Sequence, residues 1–501
     1  MNLSLLLDMA ADGFGDRVVV GGLGQSYTAA QLRLLSLGGA RALVEARASS
    51  LIYLDVNGPC FPVALFAAAG AGVPLVPLNY RLNAERLADV IARHPGAIAI
   101  CGPSQAGLFA AAGVRAYDTG EWLAASAGGG LGAPVESDAP AVVIYTSGTT
   151  SEPKGVLLRH ENLVSYVLGT VEFASAEPGD AALVSVPPYH VAAVANAITN
   201  LYAGRRCIVL DSFSGEQWLQ LVRRERVSNA LVVPTMLARI MDAPGDLSVP
   251  SLRTLAYGGA SMPARVIERA LTAWPHVDFV NAYGLTETSS TIAVLGPEDH
   301  RAAMASDDAR VRARLGSAGR AVPTVEIEIR GSNGARLPAG EAGRIWVRGP
   351  QVSGEYADIG SVLDAEGYFD TRDEGYVDDA GYLFIGGRTD DTIIRGGENI
   401  APAQIEGALL IRPDVGDAAV VGVPDEEWGQ RIEAVVVPAA GYNLDPEAVR
   451  ADLRARLRSS LTPDRIWVWD ELPRTETGKL IRRDIASRLA ALGITEGGHP
   501  C

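Results

Sequence analysis

The chain has 501 residues, more than one small hydrophobic core requires, so two or more domains are expected. Its 48% hydrophobic and 20% charged residues exclude a disordered or fibrous protein. The net charge of −16 argues against broad binding to nucleic acid or to anionic membranes, so an anionic ligand must be held by local groups.

The four cysteines are scattered and form no CxxC pair, so neither a disulfide framework nor a zinc site is expected, and a reducing cytoplasm fits best. The first apolar run lacks a preceding basic region and is interrupted by Asp8, which argues against a signal peptide. Residues 56–80 are uncharged but contain four prolines, so they favour a buried helix followed by a buried strand over a membrane span.

In chain order, strand-like runs alternate with helical patterns up to about residue 290, beginning with LIYLDV, CFPVALFAAAGAG, VPLVPL, AERLADVIARH and AIAIC. This rhythm predicts βα units around mixed, largely parallel sheets. From Gly319, alternating runs such as VEIEIR and RIWVRG predict a small antiparallel β subdomain. A short α/β pattern then predicts a smaller C-terminal domain. The fold class is therefore α/β, with domains at 1–389 and 390–501.

Only two of the 43 basic residues are lysine, Lys154 and Lys479. Such a bias suggests that these positions need a compact, rotatable ammonium group rather than a guanidinium, although chance survival is the alternative. The strand AVVIYT leads into SGTTSEPKG, whose backbone N–H groups, hydroxyls and lysine suit phosphate binding. A flexible turn with a surface lysine is the alternative. The segment does not fit the P-loop pattern, and the chain has no HExxH motif.

With further segments, the chain resembles the superfamily of adenylate-forming enzymes, which includes acyl-CoA synthetases, peptide-synthetase adenylation domains and beetle luciferases. The matching segments span nearly the whole chain: YTSGTT at 145–150, PKG at 153–155, PPYH at 187–190, YGGA at 257–260, NAYGLTE at 281–287, residues 340–348, GYVDDAGYLFIGGRTDD at 375–391, GGENI at 396–400, PRT at 473–475 and GK at 478–479. The resemblance implies ATP-dependent activation of a carboxylic acid to an acyl-adenylate, with release of pyrophosphate, followed by thioester formation with CoA.

The resemblance also assigns residues to the site. The ATP site comprises Thr146, Ser147, Gly148, Thr149, Thr150, Lys154, Gly259, Ala260, Ser261, Asn281, Ala282, Tyr283, Gly284, Asp373 and Arg388. Within it, Tyr283 is expected to stack on adenine, and Asp373 and Arg388 to bind the ribose. Glu287 and Thr149 are expected to hold Mg²⁺, a role that suits carboxylate and hydroxyl oxygens. Taken singly, an aromatic residue is more often part of a packed core, and an Asp or Arg in a turn is more often solvated.

Lys479, with Glu287, Thr286 and His190, forms the catalytic set that the resemblance implies. Lys479 is expected to bridge the carboxylate and the α-phosphate as a positioned charge. Asp390 falls at the family's hinge, about which the C-terminal domain rotates and brings Arg395, Gly396 and Gly397 to the thiol channel. His190 is expected to line the acyl pocket without acting as a base, because an ionised carboxylate is already the nucleophile.

The acyl pocket is assigned to His190, Val191, Asn196, Met236, Arg239 and Gly258. Mostly small or apolar side chains there favour a sizeable, largely apolar acid. Two features depart from the family. Arg372 replaces the glycine before Asp373, which predicts a rearranged turn if that glycine has a positive φ. Arg395 has two readings, a contact to a CoA phosphate or a narrowing of the thiol channel.

Three functions stay open at this point. The first is an acid:CoA ligase; the second is a stand-alone adenylating enzyme that passes its acyl-adenylate to a carrier protein or a separate ligase. The third is a non-catalytic acyl or nucleotide binder, which retention of Lys154, Glu287 and Lys479 argues against. The small-molecule acid is the expected partner, without nucleic acid or a membrane span, and a homodimer is the default because twofold dimers are the commonest oligomers.

Overall fold

The computed structural model describes residues 1–21, 26–131, 133–146, 153–210, 212–388, 391–395, 398–425, 428–475 and 478–496. The fold is α/β, with two large sheets, a small β subdomain and a smaller C-terminal α/β part, and the predicted class is confirmed. Within the described residues, no helix combines the length and apolar character that crossing a membrane requires.

Strands of the first 321 residues build most of the two large sheets, and two short strands after residue 350 complete the eight-stranded one. Those of the first 321 residues are β1 (Val18–Gly21), β2 (Ser26–Thr28), β3 (Leu51–Leu54), β4 (Leu75–Pro77), β5 (Ile98–Cys101), β6 (Arg115–Tyr117), β7 (Val142–Thr146), β8 (Lys154–Leu158), β9 (Ala181–Val184), β10 (Arg206–Val209), β11 (Asn229–Val232), β12 (Thr254–Gly258), β13 (Asp278–Leu285), β14 (Ser290–Leu295) and β15 (Arg320–Ala321).

Helices alternate with these strands, as the sequence pattern predicts. They are α1 (Ser4–Phe14), α2 (Ala29–Glu45), α3 (Cys60–Ala71), α4 (Ala84–Ala92), α5 (Ala106–Ala111), α6 (Thr119–Ser126), α7 (His160–Thr170), α8 (Val191–Ala203), α9 (Gly215–Arg224), α10 (Pro234–Met241), α11 (Ala264–Ala273), α12 (Pro297–Ala305) and α13 (Ala309–Ala313). Short 3-10 turns lie at Pro103–Gln105, Thr286–Thr288 and Arg314–Gly316.

The small β subdomain and the C-terminal part follow. The strands are β16 (Glu326–Arg330), β17 (Gly343–Arg348), β18 (Glu355–Tyr356), β19 (Gly360–Ser361), β20 (Phe369–Val377), β21 (Leu383–Arg388), β22 (Ile393–Arg395), β23 (Glu398–Ile400), β24 (Val415–Asp425), β25 (Gly429–Pro438) and β26 (Arg465–Val468). The helices are α14 (Pro402–Leu410), α15 (Pro446–Arg456) and α16 (Arg482–Glu496), with a 3-10 turn at Ser459–Leu461.

The nine-stranded sheet has the order β15-β14-β13-β12-β11-β9-β10-β1-β2, and its strands from β13 to β1 are parallel. The eight-stranded sheet has the order β19-β18-β8-β7-β4-β3-β5-β6. Strands β16, β17, β20 and β21 form an antiparallel four-stranded sheet, while β22–β23 and β24–β25–β26 form small sheets in the C-terminal part. Parallel strands direct their carboxyl ends to one edge, which is where open α/β sheets bind ligands.

The main hydrophobic core lies between the two large sheets and includes α3 and α8. Every residue of α3 except Pro62 is buried, and β4 is buried after it, so the predicted buried helix followed by a buried strand is confirmed. A second core covers the opposite face of the nine-stranded sheet under α9, α10 and α11. The other face of the nine-stranded sheet is covered by α8 and borders the cleft described below.

Candidate active site

A cleft of about 2170 Å³ opens at the carboxyl ends of the large sheets and is lined by residues from both parts of the chain. The first part contributes strand ends such as Thr146, Gly258 and Tyr283, and the C-terminal part contributes Lys479. A large cleft with converging polar groups at this position is the expected place for a ligand site.

The residues expected to bind adenosine form a connected group. The Tyr283 hydroxyl donates a 2.5 Å hydrogen bond to Oδ2 of Asp373, and Nε of Arg388 donates a 3.0 Å bond to Oδ1. Burial, with the neighbouring Asp373 carboxylate, raises the pKa of Tyr283 well above its usual value, so the hydroxyl stays protonated and donates. Both carboxylate oxygens of Asp373 are thereby fixed in orientation.

The remaining adenosine residues also line the cleft. Gly259, Ala260 and Ser261 follow the end of β12, and Asn281, Ala282 and Gly284 lie on β13 beside it. The Asn281 side-chain amide donates to the Ser317 carbonyl at 2.8 Å. The structure therefore brings together all of the sequence-predicted adenosine residues.

Thr146 and Lys154 are paired across β7 and β8, so the two ends of the predicted phosphate loop are held together in the cleft. The loop residues Ser147, Gly148, Thr149 and Thr150 lie outside the described residues, as does Ser151. The predicted second metal ligand, Thr149, belongs to this group.

Glu287 lies in the cleft on a 3-10 turn beside Thr286. Its Oε1 atom accepts a 2.8 Å hydrogen bond from Tyr356, and its backbone carbonyl accepts from Ser353 and Gly354. The following Ser289 and Ser290 both have positive φ, 56° and 114°, a strained conformation of the kind that clusters at functional sites. Tyr356 was not predicted to belong to the site, because its short strand carries no motif.

The described residues contain no group of three or more His, Cys, Asp or Glu side chains placed to hold a metal ion. Among these residues, Glu287 is therefore not part of such a cluster. This arrangement suits Mg²⁺, which is commonly held by one or two carboxylates together with substrate phosphates and water.

Lys479 enters the cleft from a turn in the C-terminal part. The turn is closed by backbone hydrogen bonds from Thr475 to Lys479 at 2.8 Å and from Gly478 to Thr475 at 2.8 Å. The side chain stays accessible to water in the cleft, yet protein surrounds it on several sides. The pKa of Lys479 is lowered, mainly because protein surrounds the ammonium group and secondly because the Arg388 guanidinium is nearby. The carboxylates of Asp373, Asp391 and Glu287 oppose this shift.

The predicted acyl pocket is only partly brought together. His190, Val191, Asn196 and Gly258 line the cleft where α8 begins and β12 ends. Burial lowers the pKa of His190 to about 4, so its ring is neutral near pH 7. Met236 instead packs in the core under α9–α11, and Arg239 is exposed on α10. The structure does not place these two in the cleft, because α10 covers the opposite face of the sheet.

The structure describes both residues that depart from the family pattern. Arg372 has φ +59°, so the prediction of a rearranged turn is wrong: the arginine itself adopts the left-handed conformation. Its backbone N–H donates to Asp370 at 2.9 Å, and Thr371 is anchored to the Ile345 carbonyl, which holds the turn. Arg395 forms an ion pair with Asp464 at 2.7 Å within the C-terminal part. The predicted hinge Asp390 and the channel residues Gly396 and Gly397 lie outside the described residues.

Comparison with known proteins agrees with this geometry. A model of the AMP-binding enzyme family matches residues 7–357, and a model of the AMP-binding enzyme C-terminal domain matches residues 404–479. The chain is 34% identical over 482 residues to feruloyl-CoA synthase from an Amycolatopsis species, which covers 93% of this chain and 94% of the relative. It is 32% identical over 457 residues to the fatty acid–[acyl-carrier-protein] ligase ScoC of Streptomyces coeruleorubidus, which covers 87% of this chain and 86% of the relative.

Among solved structures, ATP-bound MatB from Rhodopseudomonas palustris matches with a TM-score of 0.87 at 26% identity, over 98% of this chain and 100% of that chain. The chain therefore belongs to the AMP-binding enzyme family, within the adenylate-forming superfamily that its motifs resemble, and is an AMP-forming acid ligase.

Proposed function

We propose that this protein activates a carboxylic acid with ATP and then transfers the acyl group to the thiol of CoA. The observation that carries the proposal is the convergence of Lys479, Glu287 and Asp373 on one cleft, from separate sheets and from both parts of the chain. A protein that only binds a nucleotide has no need for a lysine that the C-terminal part brings into the cleft.

In the first step, a carboxylate oxygen of the acid attacks the α-phosphorus of ATP, the bond to the pyrophosphate oxygen breaks, and pyrophosphate leaves. Two anions must approach each other, so charge stabilisation at the α-phosphate is the main requirement. Lys479 supplies a positive charge there, and Lys154 supplies one at the phosphate end. No general base is needed because the acid is ionised, which agrees with a neutral His190 acting as a wall of the pocket.

The other groups hold the nucleotide. Asp373, oriented by Tyr283 and Arg388, accepts hydrogen bonds from the ribose hydroxyls, while the Tyr283 ring stacks on the base. Glu287, held by Tyr356, would bind Mg²⁺, which neutralises charge on the triphosphate when bound.

In the second step, the thiol attacks the acyl carbon and AMP leaves. We propose that the part after residue 390 rotates about Asp390 between the two steps and carries Lys479 out of the cleft. This proposal is supported by the few hydrogen bonds that join the two parts among the described residues, such as the bond from Arg265 to the Gly416 carbonyl at 2.6 Å. Cytoplasmic location and a homodimer stay predictions from the sequence.

The acceptor has one competing candidate. A relative named as a ligase for an acyl-carrier protein is 32% identical to this chain, which favours a carrier thiol as the alternative to CoA. In either case we propose an acid with a largely apolar body, because Val191, Ala192 and Ala195 line the pocket below His190.

The test incubates the purified protein with ATP, Mg²⁺ and a panel of acids, and follows pyrophosphate release and acyl-CoA formation in parallel. Release of both products with one class of acids is the expected result. Pyrophosphate release without acyl-CoA formation, together with acyl transfer to an added acyl-carrier protein, would show that the acceptor is the carrier thiol and not CoA. No pyrophosphate with any acid would contradict the proposal.

A further inference from the structure

The inner part of the cleft lies between α8 and the nine-stranded sheet. Its walls are apolar near the mouth, and its innermost lining residues are polar. Pairing aligns Asn229 of β11 with Thr254 of β12 and with Ala182 of β9, so these three side chains share one face and one level of the sheet. One level nearer the cleft mouth, Leu231 is paired with Ala256, and both line the cavity. From the mouth inwards, the sheet therefore presents the apolar pair Leu231 and Ala256 and next the polar pair Asn229 and Thr254.

Helix α8 repeats this order on the facing side. Ala192 and Ala195 line the cavity near the start of the helix, and Asn196, Thr199 and Asn200 line it further along. Spacings of three and four residues place these side chains on one helical face. The polar groups of the helix and of the sheet thus line the inner part of the same cavity, and together we call them the polar floor (Asn196, Thr199, Asn200, Asn229 and Thr254).

Several atoms of the polar floor keep free hydrogen-bonding capacity. Asn200 is 6% exposed and donates through Nδ2 to the Asn196 carbonyl at 2.9 Å. Asn229 accepts from Ser228 at 2.8 Å through Oδ1. Within the described part of the chain, Oδ1 of Asn200 and Nδ2 of Asn229 make no hydrogen bond to protein. Asn229 is half-buried, and both residues line the cavity, so a polar group of a ligand can pair with these two atoms.

Two independent lengths give the depth of the floor. Gly258 lies four residues after Thr254 on β12, which at a rise of about 3.3 Å per residue corresponds to about 13 Å. Asn200 lies ten residues after His190, the N-cap of α8, which at a rise of about 1.5 Å per residue corresponds to about 15 Å. A compact acid reaches this floor with its far end, whereas a long saturated chain exceeds the available depth.

We infer that the acid which this enzyme activates carries a hydrogen-bonding group at the end opposite its carboxylate, as a hydroxyaryl acid does, and that the polar floor binds this group. The inference rests on the proposed function, since it assigns the acid to the cavity below His190. The apolar walls contact the body of the acid, while Asn200 accepts from the distal hydroxyl and Asn229 donates to it.

The test compares kcat/KM for pyrophosphate release with 4-hydroxycinnamate, with cinnamate and with hexadecanoate. A site built to bind a substrate hydroxyl rejects the analogue that lacks it, so we expect at least about a tenfold preference for the hydroxy acid over cinnamate, with hexadecanoate poorest. Asn200→Leu and Asn229→Leu should each reduce this preference by about tenfold, because the hydroxy acid loses a hydrogen bond that cinnamate never makes. Urea unfolding of each variant shows whether it is folded.

Asn333→Leu is the matched control, because Asn333 is exposed in a turn remote from the cleft. A preference of unmodified protein for cinnamate or hexadecanoate would overturn the inference, and so would a preference that both floor variants retain. Absence of pyrophosphate with every acid, including shorter and branched ones, would instead contradict the proposed function. The ratio in the unmodified protein is decisive even where a floor variant fails to fold.

Discussion

Tyr283 and Asp373, 90 residues apart in the chain, are joined by a 2.5 Å hydrogen bond across the nucleotide end of the cleft. The bond ties β13 of the nine-stranded sheet to β20 of the small β subdomain. The side chain expected to stack on the base therefore also orients the carboxylate expected to bind the ribose, so binding of the two halves of adenosine is mechanically coupled.

Tyr283→Phe keeps the ring and removes the hydrogen bond to Asp373. A hydrogen bond to a charged group contributes about 1.5–3 kcal/mol, so the KM for ATP should rise about tenfold or more, while the KM for the acid is unchanged. Steady-state pyrophosphate release measures both constants. Tyr376→Phe is the control. Tyr376 lies on β20, the strand that carries Asp373, but it stacks on Phe384 of β21 with a centroid distance of 4.9 Å and does not line the cleft. Equal KM values for ATP in both variants would contradict this coupling.

Arg372 holds a left-handed conformation, φ +59°, that favours glycine. Arg372→Gly removes the strain and the guanidinium together, whereas Arg372→Ala removes the guanidinium but keeps a β-carbon. Urea unfolding should therefore show the Gly variant to be more stable than the Ala variant by about 1 kcal/mol. An Ala variant as stable as the Gly variant would show that the turn carries no strain.

Gly478 has φ +75°, and a β-carbon there would lie 2.6 Å from Oγ1 of Thr235 in the first part of the chain. Gly478→Ala should push the Lys479 turn away from the cleft. Because small misplacements of a reacting group cost about 10²-fold, pyrophosphate release should fall by about that factor. Gly441→Ala is the matched control, since Gly441 has φ +83° but nothing within 4 Å of its added β-carbon. Equal losses in both variants would attribute the effect to backbone strain alone.

His160 is 8% exposed, and its Nδ1 accepts a 3.1 Å hydrogen bond from the Leu3 backbone. Burial, aided by the N-terminal amino group and Arg159, lowers the pKa of His160 to about 4. The folded-state pKa of His160 lies below its unfolded value near 6.5. The protein therefore loses stability as the pH falls between these two values, because the unfolded state binds the proton more tightly. The free energy of unfolding should thus decrease from pH 7 to pH 4 by about 2–3 kcal/mol on account of this side chain.

His160→Gln tests this assignment, because glutamine can accept from Leu3 without titrating. Urea unfolding at a series of pH values should show a shallower loss of stability in the variant below pH 6.5. Parallel curves for the variant and the unmodified protein would assign the acid sensitivity to other groups.

The motifs predicted most of the nucleotide site because each lies at a strand end or a turn, where local sequence determines backbone position. Gly259, Tyr283 and Arg388 all line the cleft as expected. The Tyr283–Asp373 bond was not predictable, since it depends on how two separate sheets pack. Tyr356 was missed for the same reason: its partner Glu287 is distant in sequence and its strand is two residues long.

The acyl pocket was harder to predict because it depends on which face of a sheet each helix covers. Helices α8 and α10 both follow strands of the nine-stranded sheet, yet α8 covers the cleft face and α10 covers the opposite one. Met236 and Arg239 were misplaced on this account. The pairing of Asn229 with Thr254 likewise required the strand register, which no local pattern contains.

In the proposed mechanism, Lys479 acts in the first half-reaction only. The measurement that tests it compares Lys479→Ala with unmodified protein in two separate assays: pyrophosphate release from acid and ATP, and acyl-CoA formation from a supplied acyl-adenylate. Loss of one well-placed stabilising group costs about 10²–10³-fold, so the first rate should fall by that factor while the second is unchanged. Equal losses in both assays, or an unchanged first rate, would contradict the role of Lys479 and the domain rotation proposed with it.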